Sequence, residues 1–165
     1  MNRKIVAGID IGGTNTIFGW VDISGKILWR GNIKTEDFSS PDLLVEEIKR
    51  QLNINLLGEV VGVGVGAPSA NFYSGCIEHA PNLKWEGIIP LKDYFMKAMN
   101  VPTIVTNDAN AAALGEHLYG AAKGADNFMM VTLGTGLGSA FFSNGQLIYG
   151  HDGFAGELGH TIIEP

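Results

Sequence analysis

The sequence predicts an α/β fold with a mixed sheet, made of a first lobe and the opening of a second. Three observations carry this. The chain opens on a meander of three short strands joined by glycine turns, not on a strand followed by a helix. A Val-rich run, 59–66, has no charge after its first residue and reads as a buried, central, parallel strand. After residue 126 the opening meander recurs, so the lobes are expected at 1–120 and 121–165.

Ile5 to Ile11 is short and apolar, a strand, and Gly12-Gly13-Thr14-Asn15 turns the chain. Thr16 to Val21 alternates as a second strand, and Lys26 to Lys34 makes a third after the turn Asp22-Ile23-Ser24-Gly25. Ser39-Ser40-Pro41-Asp42 starts a helix with a hydroxyl cap and Pro in the first turn. Its apolar face is Leu44, Val45, Ile48 and Leu52. The strand 59–66 breaks at Gly66-Ala67-Pro68-Ser69, and an irregular stretch runs to about Pro90. A loop of that length in a compact domain is often a binding loop. A short helix, 91–99, and a strand, 101–106, lead into the Ala-rich helix that begins near Asp108. Strands follow at 128–133 and 137–143, then the hairpin turn Asn144-Gly145 and a short strand to Tyr149.

Composition narrows the function. The 165 residues can bury a sizeable core, and 45% apolar with 17% charged residues is ordinary for a soluble globular protein. A net charge of −6 without a basic run argues against nucleic acid and anionic membrane as partners. Cys76 is the sole cysteine, so no internal disulfide forms. The N-terminal apolar run is interrupted by Asp10, too early for a signal peptide, and no stretch is long enough to span a bilayer. A cytoplasmic location is expected. The first strand begins near Lys4, with no DNA-reading module ahead of it.

Asp108 falls where a buried strand ends and a helix begins. There an isolated Asp is ordinarily a helix cap. The functional alternative is an ionised base at the carboxyl end of a strand, where α/β sheets place ligands. The two glycine turns favour the alternative. Turns of Gly and Thr present backbone N–H groups that can hold phosphate oxygens. Gly12, Gly13, Thr14 and Asn15 form one; Gly134, Thr135, Gly136 and Gly138 form the other. Asp10, at the end of the first strand, would stand near a phosphate-bound Mg²⁺, directly or through water. Phosphoryl transfer then needs positioning, charge stabilisation and a group to take the acceptor's proton, a role that suits Asp108. A sugar acceptor needs polar groups around its hydroxyls; Asn82, Asn107, Glu157 and His160 are candidates, the last two at i, i+3. His79, His117 and His151 read as surface or satisfied histidines, and Trp20, Trp29 and Trp85 as packing residues.

Four motifs, in order, are Asp10-Ile11-Gly12-Gly13-Thr14-Asn15, the run from Asn107 to Glu116, Thr132-Leu133-Gly134-Thr135-Gly136-Leu137-Gly138, and Gly156-Glu157-Leu158-Gly159-His160. Together they resemble the ROK family (repressors, open reading frames, kinases), and within it the bacterial glucokinases. The first motif is shared with the wider actin-like ATPase superfamily. The resemblance implies an actin-like, ribonuclease H-like fold with ATP and sugar between two lobes. It implies that Asp108 is the base acting on the sugar 6-hydroxyl. It places Pro68, Asn82, Asn107, Glu157 and His160 on the sugar side and the Gly12 and Gly134 turns on ATP phosphates, with Mg²⁺ as companion and a homodimer as the assembly.

Three departures stand out. Ser69 follows Pro68 where the family often has Gly. The cysteine cluster that in many members joins the motif histidine, here His160, in binding structural zinc does not occur before Pro165. The adenosine-binding part of the second lobe is also absent, so a fragment with little activity of its own, prone to self-association, is expected. Glucose is the first acceptor expected, with N-acetylmannosamine, N-acetylglucosamine and fructose as alternatives. A non-catalytic sugar-sensing regulator and an actin-like or chaperone-type ATPase are the competing classes.

Overall fold

A computed structural model of the chain describes residues 3–134 and 136–162. Its contacts divide it into two compact units, one ending at Thr106 and the other beginning at Asn107.

The first unit is built on a five-stranded sheet. Strands β1 (Lys4–Ile11), β2 (Asn15–Asp22) and β3 (Ile27–Lys34) form the expected meander. With β4 (Glu59–Ala67) and β7 (Thr103–Asn107) the order is β3-β2-β1-β4-β7. β1 pairs antiparallel with β2 and parallel with β4, so the sheet is mixed. Alternation along β1 buries Ile5, Ala7, Ile9 and Ile11 on one face. These meet Phe18 and Trp20 of β2, and Leu44, Val45, Ile48 and Leu52 of helix α1 (Pro41–Ile54). The four α1 residues are the face its 3.6-residue period predicts. The indole N–H of Trp20 donates to the Leu52 carbonyl at 3.2 Å, tying β2 to the end of α1. Buried Thr16 shares this interior because its hydroxyl bonds that of Thr35 at 2.8 Å. Trp20 and Trp85 are buried packing residues, as expected.

The stretch 68–90 is more ordered than its sequence suggests. It contains two two-residue strands, β5 (Ile77–Glu78) and β6 (Ile88–Ile89), paired antiparallel. Ile77, Leu83, Trp85 and Ile89 anchor it in the core. Helix α2 (Leu91–Met99) buries Leu91 and Phe95 beside it.

In the second unit, helix α3 (Asp108–Tyr119) packs on a three-stranded antiparallel sheet, β8 (Phe128–Leu133), β9 (Leu137–Ser143) and β10 (Gln146–Leu147), in the order β10-β9-β8. Asn144 (φ 52°) and Gly145 (φ 71°) make the turn between β9 and β10, the left-handed pair that suits a two-residue hairpin. Ala113 of α3 joins Ala140 and Phe142 of β9 in a small core. Thus α3 belongs with the second sheet, and the contacts divide the chain one helix earlier than the boundary expected at 120/121.

Candidate active site

In the first unit, Asp10 lies next to last in β1, between Ile17 of β2 and Gly66 of β4. The turn that follows is closed by its own backbone: the Gly12 N–H donates to the Asn15 carbonyl at 2.9 Å. That N–H is therefore engaged within the turn. Thr14 gives its carbonyl to the Thr35 N–H at 2.8 Å. Gly13 has a steric reason to lack a side chain. A Cβ there would lie 2.5 Å from the backbone oxygen of Asn82. The structure thus sets a predicted sugar residue directly against a predicted phosphate turn. The Asn82 side chain belongs to an exposed residue.

Pro68 is half-buried just beyond β4. Ser69 after it adopts φ 51°, so the chain keeps a left-handed backbone there although the residue is not glycine. The Ser69 carbonyl accepts the Glu78 N–H at 3.0 Å, which holds that conformation in place.

In the second unit, Asn107 and not Asp108 caps α3: its Oδ1 accepts the Ala109 N–H at 2.8 Å. Asp108 is the first helical residue, accepts the same N–H through Oδ1 at 2.8 Å, and is exposed. Its carboxylate shares that N–H with Asn107 and remains exposed at the positive end of the helix.

β9 gathers the other pieces around this helix start. Gly138 lies against α3, where an added Cβ would be 3.2 Å from that of Ala109. The turn before it is closed by the Gly134 N–H on the Gly136 carbonyl at 3.0 Å. Around both Gly134 and Gly136 the space is open; Thr135 falls outside the described residues. On the other side, the Ser139 hydroxyl donates to the Gly156 carbonyl, and Gly159 packs on the Leu137 carbonyl. Gly156 has φ 97° and sits 2.5 Å, measured from an added Cβ, from the Ser139 oxygen, so no other residue fits. A 3₁₀ turn at Leu158–His160 then presents exposed Glu157 and His160, carboxylate and imidazole 3.7 Å apart. The i, i+3 spacing does aim both the same way. Within this unit, β9 meets the start of α3 at Ala109 through Gly138 and the segment 156–159 through Ser139 and Leu137.

Sequence reasoning missed Asn110. It is 2% exposed on the first turn of α3, and its Oδ1 has no hydrogen-bond partner among the described residues. An amide two positions beyond the predicted base was the available signal. No group of three or more His, Cys, Asp or Glu side chains suited to a metal occurs among the described residues. No described helix is long and apolar enough to cross a membrane.

The sequence matches the ROK family model over residues 6–165. It is 37% identical to a glucokinase of Halalkalibacterium halodurans across 100% of this chain and 52% of that protein. It is 38% identical over 105 residues to a xylose repressor of Bacillus subtilis, covering 64% of this chain and 27% of the repressor. Among solved structures, a ROK family glucokinase from Streptomyces griseus, in complex with glucose and AMPPNP, superposes with a TM-score of 0.85 at 36% identity, covering 98% of this chain and 51% of that one. The chain spans about half the length of these glucokinases. The actin-like fold expected from the motifs is the fold of these neighbours.

Proposed function

We propose, from the premise that this chain belongs to the ROK family, that it forms part of an ATP-dependent kinase that phosphorylates a hexose at the 6-hydroxyl, with glucose the first substrate to test. The observation that carries the proposal is that β9 packs on the helix start that bears an exposed Asp108 and on the segment leading into the Glu157–His160 turn, with an open glycine turn just before the strand. Asp108 is the residue we assign as general base. Asn107 orients the helix start beneath it, while Pro68, Asn82, Glu157 and His160 are assigned to the sugar. Gly13, Thr14, Asn15, Gly134, Thr135, Gly136 and Gly138 are assigned to ATP phosphates, and Gly12 to shaping its turn.

Mg²⁺ retains several waters and needs only one or two protein carboxylates beside substrate phosphates. A single Asp10 at a strand end fits that requirement. Bound there, Mg²⁺ would neutralise phosphate charge. Zinc has weaker support, since His160 is paired with Glu157 and no cluster of ligands surrounds it among the described residues. A homodimer in the cytoplasm belongs to the same proposal.

An ATP-coupled assay over a hexose panel, including N-acetylmannosamine, N-acetylglucosamine and fructose, tests the activity in the full-length protein. Asp108→Asn is expected to lower kcat by roughly 10²–10⁴, the usual contribution of a placed base, with sugar still bound. Undiminished turnover in that variant would remove Asp108 from the chemistry. The similarity to a xylose repressor favours a second reading, a sugar-sensing regulator. Sugar binding with no ATP turnover in the wild type would select it.

A further inference from the structure

We infer that Lys84 and Trp85 are positioning residues that lock the sugar-side loop and the first glycine turn into a single frame. The inference rests on the proposed kinase reading for the ligands at each end, but the frame itself stands on contacts within the first unit. Four contacts close a ring, and a fifth braces it. Gly13 runs so close to the backbone of Asn82 that an added Cβ would lie 2.5 Å from the Asn82 oxygen. Thr14 accepts the Thr35 N–H at 2.8 Å. Thr35 is held in the interior by its 2.8 Å bond to Thr16. Two residues of the segment Thr35 begins then accept from the loop: the Lys84 ammonium donates to the Glu36 carbonyl at 2.8 Å, and the Trp85 indole N–H to the Phe38 carbonyl at 3.1 Å. Asn82, two and three residues before these donors, closes the ring on Gly13.

The two donated bonds join residues 48 and 47 positions apart. Neither serves a helix or a sheet. Lys84 is exposed, so its ammonium gives up open solvation for one carbonyl, and Trp85 is buried with its only polar atom spent on another. Without them, Asn82 would be held by the packing of Leu83 and Trp85 in a loop whose regular structure is two short strands, with no bond to the segment 35–38. With them, a shift of the loop displaces 35–38, and through Thr35 the turn at Thr14. Sugar contact and phosphate contact are thereby set by one piece of backbone.

The test uses Lys84→Met, which cannot disturb the core, and Trp85→Phe, which keeps most of the packing and removes the donor. In the full-length protein, KM for hexose and KM for ATP are expected to rise together, about three- to tenfold, the range one net hydrogen bond supports. kcat should change less than KM. Exchange of the Thr35 amide, followed by mass spectrometry or NMR without ligands, should accelerate in both variants. A purely structural role would lower Tm in Trp85→Phe while leaving both KM values and Lys84→Met unaffected, which would overturn the inference. So would a rise in the hexose KM alone, or Thr35 exchange at the wild-type rate. If the wild type phosphorylates no hexose, the kinase reading fails by itself, and the exchange rates still decide whether the frame exists.

Discussion

Replacing Gly13 with alanine measures how tightly the turn and the loop at Asn82, proposed to face the sugar, are joined. The new methyl carbon would stand 2.5 Å from the Asn82 oxygen, 3.5 Å from its carbonyl carbon and 3.6 Å from its Cβ. A relaxed carbon–oxygen contact needs roughly 3.3 Å, so about 0.8 Å must be found. Both partners are backbone, and no side-chain rotamer can supply it. The turn cannot simply recede, because Gly12 and Thr14 are bonded to Asn15 and Thr35. Overpacking of this kind costs about 1–3 kcal/mol. At roughly 2–8 °C per kcal/mol, thermal denaturation should fall by several degrees or more. Displacing Asn82 by most of an ångström should also raise KM for hexose, since misplacement on that scale can cost about 10²-fold. Calorimetry and a coupled kinase assay read the two effects. A Gly13→Ala protein with wild-type Tm and wild-type hexose KM would refute the reasoning outright.

Gly134→Ala provides the opposite case: the added carbon meets open space. It should leave Tm unchanged or raise it, since reduced unfolded-state entropy adds up to about 1 kcal/mol of stability, while raising KM for ATP; a wild-type ATP KM would count against phosphate contact at this turn. Asn110→Leu removes a buried amide oxygen that has no partner among the described residues, so Tm should rise by the few degrees that correspond to relieving about 1–3 kcal/mol. A fall in Tm would mean that the amide is satisfied in solution. Glu47 is held down to about 2 from 4.5, chiefly by hydrogen bonds from Arg50 and then Gln51. Because the folded state depresses this pKa, its contribution is present above about pH 4.5 and disappears as pH falls toward 2. The Tm difference between wild type and Glu47→Gln should shrink across that window, and a difference that stayed constant would assign it to packing instead.

The meander, α1 and the β8–β9 hairpin were legible because each carries its own local signal: alternation, a 3.6-residue apolar face, or a turn residue suited to positive φ. The strands β5 and β6 were not, since two-residue pairings have no period. Ser40 looked like a capping hydroxyl. It occupies the cap position with extended backbone, but its side chain makes no capping bond. The Ala-rich α3 has little contrast between its faces, so the sequence does not say which sheet it joins, and the expected division lies fourteen residues after the one the contacts make. Asp108 was visible as a strand-end acid. That Asn107 holds the cap position and shares the Ala109 N–H with an exposed Asp108 is a side-chain arrangement that strand and helix signals do not encode. The bonds from Lys84 and Trp85 were invisible because nothing local links them to Glu36 and Phe38.

The arrangement on β9 has a practical corollary for anyone altering acceptor choice. A register slip of one residue against β8 would turn Leu137, Gly138 and Ser139 onto opposite sides and dislodge every attached piece at once. Damage to this strand should therefore silence the molecule wholesale instead of retuning it. For the proposed kinase, libraries aimed at new sugars are better spent on the exposed residues Asn82 and Glu157, whose side chains can vary without dismantling the support underneath.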